Sequence, residues 1–211
     1  MTRLAKRALD LAAALIGLVV LSPLMLVIAA TIRVRMGSPV LFRQRRPGFH
    51  AVPFTMVKFR TMLVGEGTTI AIDPSDTERL TGLGLRLRRH SLDELPQLWN
   101  VLKGEMSLVG PRPLLMEYLE RYTPEQARRH EVKPGITGWA QIQGRQDIPF
   151  SKRLELDVWY RDHQSFWLDL RILGVTLTQM LRGSGVRSGQ DVRLVDDLGL
   201  HPATRKTGER T

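Results

Sequence analysis

A chain of 211 residues with 31 Lys and Arg against 21 Asp and Glu has a formal charge of +10 and a pI of about 10.8, which points to an anionic partner: nucleic acid, acidic lipid or a phosphorylated substrate. It contains no cysteine, which excludes a disulfide framework and a thiolate metal site. Its histidines (His50, His90, His130, His163 and His201) are scattered with no i,i+4 pair, a pattern of surface or locally bonded rings rather than metal ligands.

Residues 11–32 are almost wholly apolar. As a helix this run is about 33 Å long, enough to cross a bilayer core. Ser22-Pro23 lies in its middle, and a proline there removes a backbone hydrogen bond and clashes with the preceding turn, so a kink or break is expected. Arg3, Lys6 and Arg7 precede the run, and Arg33, Arg35, Arg43, Arg45 and Arg46 follow it. Positive flanks favour the cytoplasmic side, and both flanks are positive. A helix broken at Ser22-Pro23 that dips into one leaflet and returns satisfies both, whereas a straight span satisfies one. A signal peptide and a buried core helix are the competing readings. The first is disfavoured by the length of the run and the second by its lack of a polar stripe. Asp10, inside the basic flank, is expected to pair with Arg3 or Arg7 near the headgroups.

Residues 40–43 and 54–59 read as strands, with Pro47-Gly48 as a hairpin turn. Residues 65–81, rich in Gly, Thr, Asp and Ser, read as a loop. Residues 86–90 form a basic approach to the acidic pair Asp93-Glu94. Leu95, Leu98, Trp99 and Leu102 recur at helical spacing. Residues 114–121 and 124–131 read as helices, the second opened by Thr123-Pro124. Residues 133–138 read as a turn, and 150–162 as a helix. Residues 165–182 form a second long helix, apolar around most of its circumference, either core or partly interfacial with Trp167, Arg171 and Arg182 near headgroups. The last eight residues are expected to be disordered. The expected fold is α+β and mainly helical, with a β-hairpin and several amphipathic helices. Its parts are a re-entrant membrane helix over 1–36, a cytoplasmic catalytic domain over 37–190 and a partly disordered tail over 191–211.

The chemistry concentrates at Asp93 and Glu94. Adjacent carboxylates do not share a helical face, so they suit two roles rather than a proton-sharing dyad. Pro96 fits a first helical turn if Asp93 stands near its start. Ser91 with Glu94 also matches a capping box, the plainer structural alternative. Cations gather around the pair in sequence: Lys58 and Arg60 end a strand, Arg86, Arg88 and Arg89 lie upstream, Arg112 sits between two prolines, and Arg145 follows Gly144. Together they are able to surround a diphosphate, with Mg²⁺ bridging its oxygens to a carboxylate.

Several stretches carry a resemblance: Lys58-Phe59-Arg60-Thr61-Met62, Leu87-Arg88-Arg89, residues 91–104 with Asp-Glu-Leu-Pro, residues 106–113 with Val-Gly-Pro-Arg-Pro, residues 133–141, Gly144-Arg145 and Leu156-Asp157-Val158-Trp159-Tyr160. In this order the chain resembles the bacterial sugar transferases, the monotopic phosphoglycosyl transferases that begin glycoconjugate assembly on a polyprenyl (undecaprenyl) phosphate. It is similar to their small form, such as the transferase that starts bacterial N-glycan assembly. The resemblance implies a re-entrant helix at the cytoplasmic face of the inner membrane. It implies a UDP-sugar donor, a polyprenyl phosphate acceptor and Mg²⁺. Asp93 would be the nucleophile and the Mg²⁺ ligand, releasing UMP and holding the sugar phosphate covalently, with Glu94 assisting by positioning Mg²⁺ or by proton handling. Lys58, Arg88, Arg112, Arg145 and Asp157 would hold substrate. It leaves a homodimer open, and the match fades after Gly185-Val186. The alternative from charge alone is a non-catalytic, membrane-anchored basic module for nucleic acid or acidic lipid. That reading gives Asp-Glu beside Pro-Arg-Pro no task, and the chain lacks the interleaved aromatics of a nucleic-acid platform.

Overall fold

The computed structural model describes residues 3–63, 79–144, 148–183 and 196–199. Its elements are mainly helical, with two small sheets. In chain order they are α1 (Arg3–Met36), β1 (Leu41–Pro47), β2 (Pro53–Phe59), α2 (Gly82–Arg89), α3 (Gln97–Lys103), β3 (Ser107–Val109), α4 (Pro124–Ala127), β4 (Gly135–Thr137), α5 (Trp139–Gln143), α6 (Phe150–His163) and α7 (Phe166–Leu181). Short 3₁₀ turns at Phe49–Ala51, Leu92–Glu94, Met116–Arg121 and Arg128–Glu131 link them.

The apolar run forms one helix of 34 residues with Pro23 inside it, and at Ser22-Pro23, where a kink or break is expected, the helix does not break. The local chemistry explains the continuity. Pro23 has no N–H to offer the carbonyl of Val19, four residues back. Ser22 Oγ donates to that same carbonyl at 2.8 Å, so the acceptor orphaned by the proline is satisfied by its neighbour's side chain.

One stripe of α1 lies along the rest of the protein. Ala14, Leu18 and Leu21 pack with Phe54, Met56, Leu98 and Val101, while Met25, Ile28, Ala29, Ile32 and Met36 pack with Phe59, Leu83, Leu87 and Leu95. Its other faces are open: Leu15, Ile16, Val19, Val20, Leu26 and Val27 are more than half exposed. The core-helix reading therefore fails, since only 11% of its most apolar window is buried.

Both ends of α1 are tied to the same body. At the start, Lys6 Nζ bonds Asp169 Oδ2 of α7 at 2.6 Å. Arg7 donates to the carbonyls of Val101 and Leu102, which end α3. Asp10, expected to pair with Arg3 or Arg7, is buried and accepts from Ser107 Oγ and Leu108 N of β3, while Arg7 is spent on the two carbonyls; the Arg3 side chain lies outside the described residues. At the far end, Arg60 donates to the carbonyls of Met36, Gly37 and Ser38. Its guanidinium caps the last turn of α1, where carbonyls have no helical partner, so Arg60 is a structural cation rather than a phosphate ligand.

The hairpin is present, β1 antiparallel to β2 with Leu41 opposite Phe59 and Pro47 opposite Pro53. Its connection is wider than a Pro-Gly turn: Gly48 N donates to Val52 O around a 3₁₀ turn in which His50 and Ala51 hold positive φ. The sequence 133–138, read as a turn, instead contributes β4, which pairs in parallel with β3. Residues 114–131 are shorter and tighter than the two helices expected: a 3₁₀ turn, then α4 with a full Thr123/Gln126 capping box, then another 3₁₀ turn. Helix α7 buries Asp169 and Ile172 while Trp167, Leu177 and Leu181 stand open. Most of 65–81, most of the 191–211 tail and the last eight residues lie outside the described residues. Of the tail, Asp197 accepts from Ser151 N at the start of α6 at 3.0 Å.

Candidate active site

Asp93 and Glu94 do not open an α-helix. They sit in the 3₁₀ turn Leu92–Glu94, and α3 begins only at Gln97, after Pro96. Ser91, just before them, holds φ 53° and ψ 23°, a left-handed conformation that costs a non-glycine residue roughly 1 kcal/mol. Its side chain caps nothing, so the capping-box alternative is not formed. The Glu94 side chain is directed elsewhere.

Glu94 Oε1 accepts from Lys58 Nζ at 2.9 Å and from Arg112 Nη2 at 2.6 Å. Lys58 comes from the end of β2, and Arg112 from the Pro111-Arg112-Pro113 turn after β3. Burial alone would raise the Glu94 carboxyl, but these two cations outweigh it and hold it down at about 2. Asp93 is 7% exposed. Its carboxyl is pushed above the ordinary carboxylate range, first by burial and then by the charge of Glu94, with Lys58, Arg88 and Arg112 opposing. The two neighbours thus divide the work: Glu94 is a fixed anion that anchors two cations, and Asp93 is a buried carboxylate within reach of three positive fields. Burial likewise lowers the Lys58 ammonium, with Glu94 opposing.

Arg88 reaches the site from α2. Its Nε donates to Thr61 Oγ1 at 3.0 Å, a contact unremarked in the sequence although Thr61 follows Lys58-Phe59-Arg60 directly. Helix α2 lies so close to this segment that a Cβ at Gly84 would come within 1.9 Å of Thr61 O. Asn100 fixes α3 from the other side, donating to Thr55 O and accepting from Val57 N of β2.

The structure therefore brings together Asp93, Glu94, Lys58, Arg88 and Arg112. Arg145 lies outside the described residues. Asp157 is not at the pair: it is 3% exposed on α6 and bound to Arg129. Expected as a substrate ligand, it is spent on an internal ion pair because the surrounding core leaves its carboxylate no route to solvent.

The family model for bacterial sugar transferases matches residues 1–183. The chain belongs to the bacterial sugar transferase family. Among its relatives, an uncharacterized sugar transferase, EpsL of Bacillus subtilis, is 54% identical over 187 residues, covering 89% of this chain and 92% of that protein. A UDP-glucose:undecaprenyl-phosphate glucose-1-phosphate transferase of Xanthomonas campestris is 45% identical, covering 84% of this chain and 39% of its own length. The undecaprenyl-phosphate galactose phosphotransferase of Salmonella typhimurium is 36% identical, with 87% and 42% covered. The transferase chain thus spans nearly all of the first relative and about two fifths of the other two.

As a metal centre this transferase offers little on its own. Among the described residues no three His, Asp or Glu side chains gather to form a cage. Mg²⁺ does not require one, since it is commonly held by one or two carboxylates together with substrate phosphate oxygens. Asp93 fits that donor set: Lys58 and Arg112 donate to Glu94, and among the described residues the cations act on the Asp93 carboxylate through their charge.

Proposed function

We propose that this protein transfers a hexose 1-phosphate from a UDP-sugar to a polyprenyl phosphate, through a covalent intermediate on Asp93. The observation that carries the reading is the buried Asp93 carboxylate facing the combined charge of Lys58, Arg88 and Arg112. An Asp93 oxygen attacks the phosphorus that bears the sugar. A P–O bond forms, the bond to the bridging oxygen breaks, and UMP leaves with that oxygen. The polyprenyl phosphate oxygen then attacks the same phosphorus, and the carboxylate is released as the lipid diphosphosugar forms. Arg112, Arg88 and Lys58 hold and neutralise the equatorial phosphate oxygens. Glu94 keeps Lys58 and Arg112 at their stations. Bound Mg²⁺ would offset the negative charge that the diphosphate brings and so keep the Asp93 carboxyl ionised.

The membrane helix fits this chemistry. A helix of 34 residues is about 51 Å long, and a straight perpendicular span would carry its ends to opposite faces. The bonds of Lys6, Arg7 and Asp10 at one end and of Arg60 at the other tie both ends to one body. With both ends held there, and with Pro23 as the point where the helix bends, this supports a monotopic helix entering and leaving by the cytoplasmic leaflet, beside a site at the depth of the lipid phosphate. A basic module for nucleic acid or acidic lipid has no use for a buried carboxylate pair set among cations.

The test is UMP release and lipid labelling by the full chain in lipid nanodiscs, given polyprenyl phosphate, Mg²⁺ and a panel of UDP-hexoses. Asp93→Asn should abolish both with the fold intact, and mass spectrometry of the quenched parent should find the sugar phosphate on the peptide containing Asp93. Full turnover by Asp93→Asn would sink the reading.

A further inference from the structure

The three carbonyls of the Pro111-Arg112-Pro113 turn are each held from a different part of the chain. Pro111 O accepts from Gly135 N at 3.0 Å, Arg112 O from Arg129 Nη2 at 2.6 Å, and Pro113 O from Arg46 Nη1 at 3.4 Å. The prolines have no N–H and lock their own φ, and a residue before proline is itself restricted. The freedom left to the turn is chiefly rotation about Pro111 ψ and Arg112 φ, which swings the peptide that follows Arg112. The bond from Arg129 acts on that peptide's carbonyl.

Arg129 is in turn fully committed. It is 2% exposed, and Asp157 Oδ2 accepts from its Nε at 3.0 Å and its Nη2 at 2.6 Å. Its Nη1 donates to Tyr122 Oη at 3.3 Å. Buried ion pairs return little net stability after desolvation, and apolar replacement of both partners is often neutral. Stability alone gives this pair no purpose. Among the described residues its one outward contact on the reaction side is the carbonyl of Arg112, whose guanidinium bonds Glu94.

We propose that Arg129, locked by Asp157, is a positioning residue for phosphoryl transfer: it fixes the peptide of Arg112 and so aims the Arg112 guanidinium at Glu94 and the incoming phosphate. The inference rests on the transferase reading above. Neither Arg129 nor Asp157 touches reacting atoms, and both act through Arg112.

The test is a double-mutant cycle on the full chain in nanodiscs, read by UMP release and by UMP binding. Replacing the pair together, Arg129→Met with Asp157→Leu, should leave the thermal midpoint near the parent's. It should lower kcat/KM for the UDP-sugar roughly tenfold to a hundredfold, as expected when a catalytic group is misplaced by a fraction of an ångström to an ångström. In an Arg112→Lys background the same pair should cost no more than about twofold further, because the effect travels through the side chain already altered. Should the pair variant fail to fold, Arg129→Lys serves in its place. It keeps a charge opposite Asp157 but lacks the planar fork that bonds the carboxylate and Arg112 O together. Equal losses in both backgrounds, or parental turnover in the folded variants, would overturn the inference and leave the transferase reading standing. A parent chain that neither turns over nor binds UMP would overturn both.

Discussion

A single oxygen of Glu94 receives both Lys58 and Arg112. Two cations converge there only because an anion lies between them, so the charge of Glu94, more than its shape, is what the site requires. Glu94→Gln keeps the shape and should reduce UMP release about a hundredfold, since Lys58 and Arg112 then repel one another and leave their stations. Near-parental rates in that variant, measured at saturating UDP-sugar, would show that the two cations hold without it. His130 offers a pH-dependent counterpart away from the chemistry. Burial, and then the Arg129 charge, push its ring down to about 4, against a bond to Gly48 O that works the other way. The unfolded chain therefore binds the proton more readily between pH 6.5 and 4, and stability falls as the pH drops through that window. The thermal midpoint should decline from pH 7 toward pH 4.5, and His130→Gln should flatten that slope.

Helix α2 shows how closely one element holds the site. Its start is capped by Thr81, whose Oγ1 accepts from Gly84 N, and its body carries Arg88 to Thr61. The packing leaves room for a side chain at one glycine of this helix and not at the other. A Cβ at Gly82 meets nothing within 4 Å, whereas one at Gly84 would strike the Thr61 backbone. Gly82→Ala should be neutral or slightly stabilising, by up to about 1 kcal/mol, through reduced freedom of the unfolded chain. Gly84→Ala should lower the thermal midpoint and the transfer rate together, since α2 must move away from Thr61 and takes Arg88 with it. Equal behaviour of the two variants in a melting experiment would refute this placement. The sequence offered no means of telling these glycines apart. It disclosed the hairpin and the long helices, whose periodicities are local, but not the three-residue parallel pairing of β3 with β4. That pairing depends on chain segments brought together from 107 and 135.

Across the whole molecule, the legible part of the site was the part written in short motifs. Asp93, Glu94, Lys58, Arg88 and Arg112, which the structure gathers, were named from residue type and from the motifs of the family resemblance, because phosphate chemistry demands carboxylates and cations. What escaped were pairings between distant positions: Lys6 with Asp169, Asp10 with Ser107, Arg60 with the end of α1, and Arg129 with Asp157. Charge in a sequence does not announce whether it will face a ligand or an internal partner, so Asp157 and Arg60 were both assigned outward. These hidden pairings now make the membrane reading testable, since three of them fasten the two ends of α1 to one body. The chain has no cysteine, so single-cysteine variants label without background. Leu4 and Val34, near opposite ends of α1, are 83% and 84% exposed, and Val19 and Val20 lie between them. In sealed vesicles of known orientation, Leu4→Cys and Val34→Cys should react with an impermeant maleimide from the same cytoplasmic side, while Val20→Cys stays protected until detergent is added. Labelling of Leu4→Cys from the opposite side would mean that the bonds of Lys6, Arg7 and Asp10 do not form in the bilayer, and that α1 crosses it.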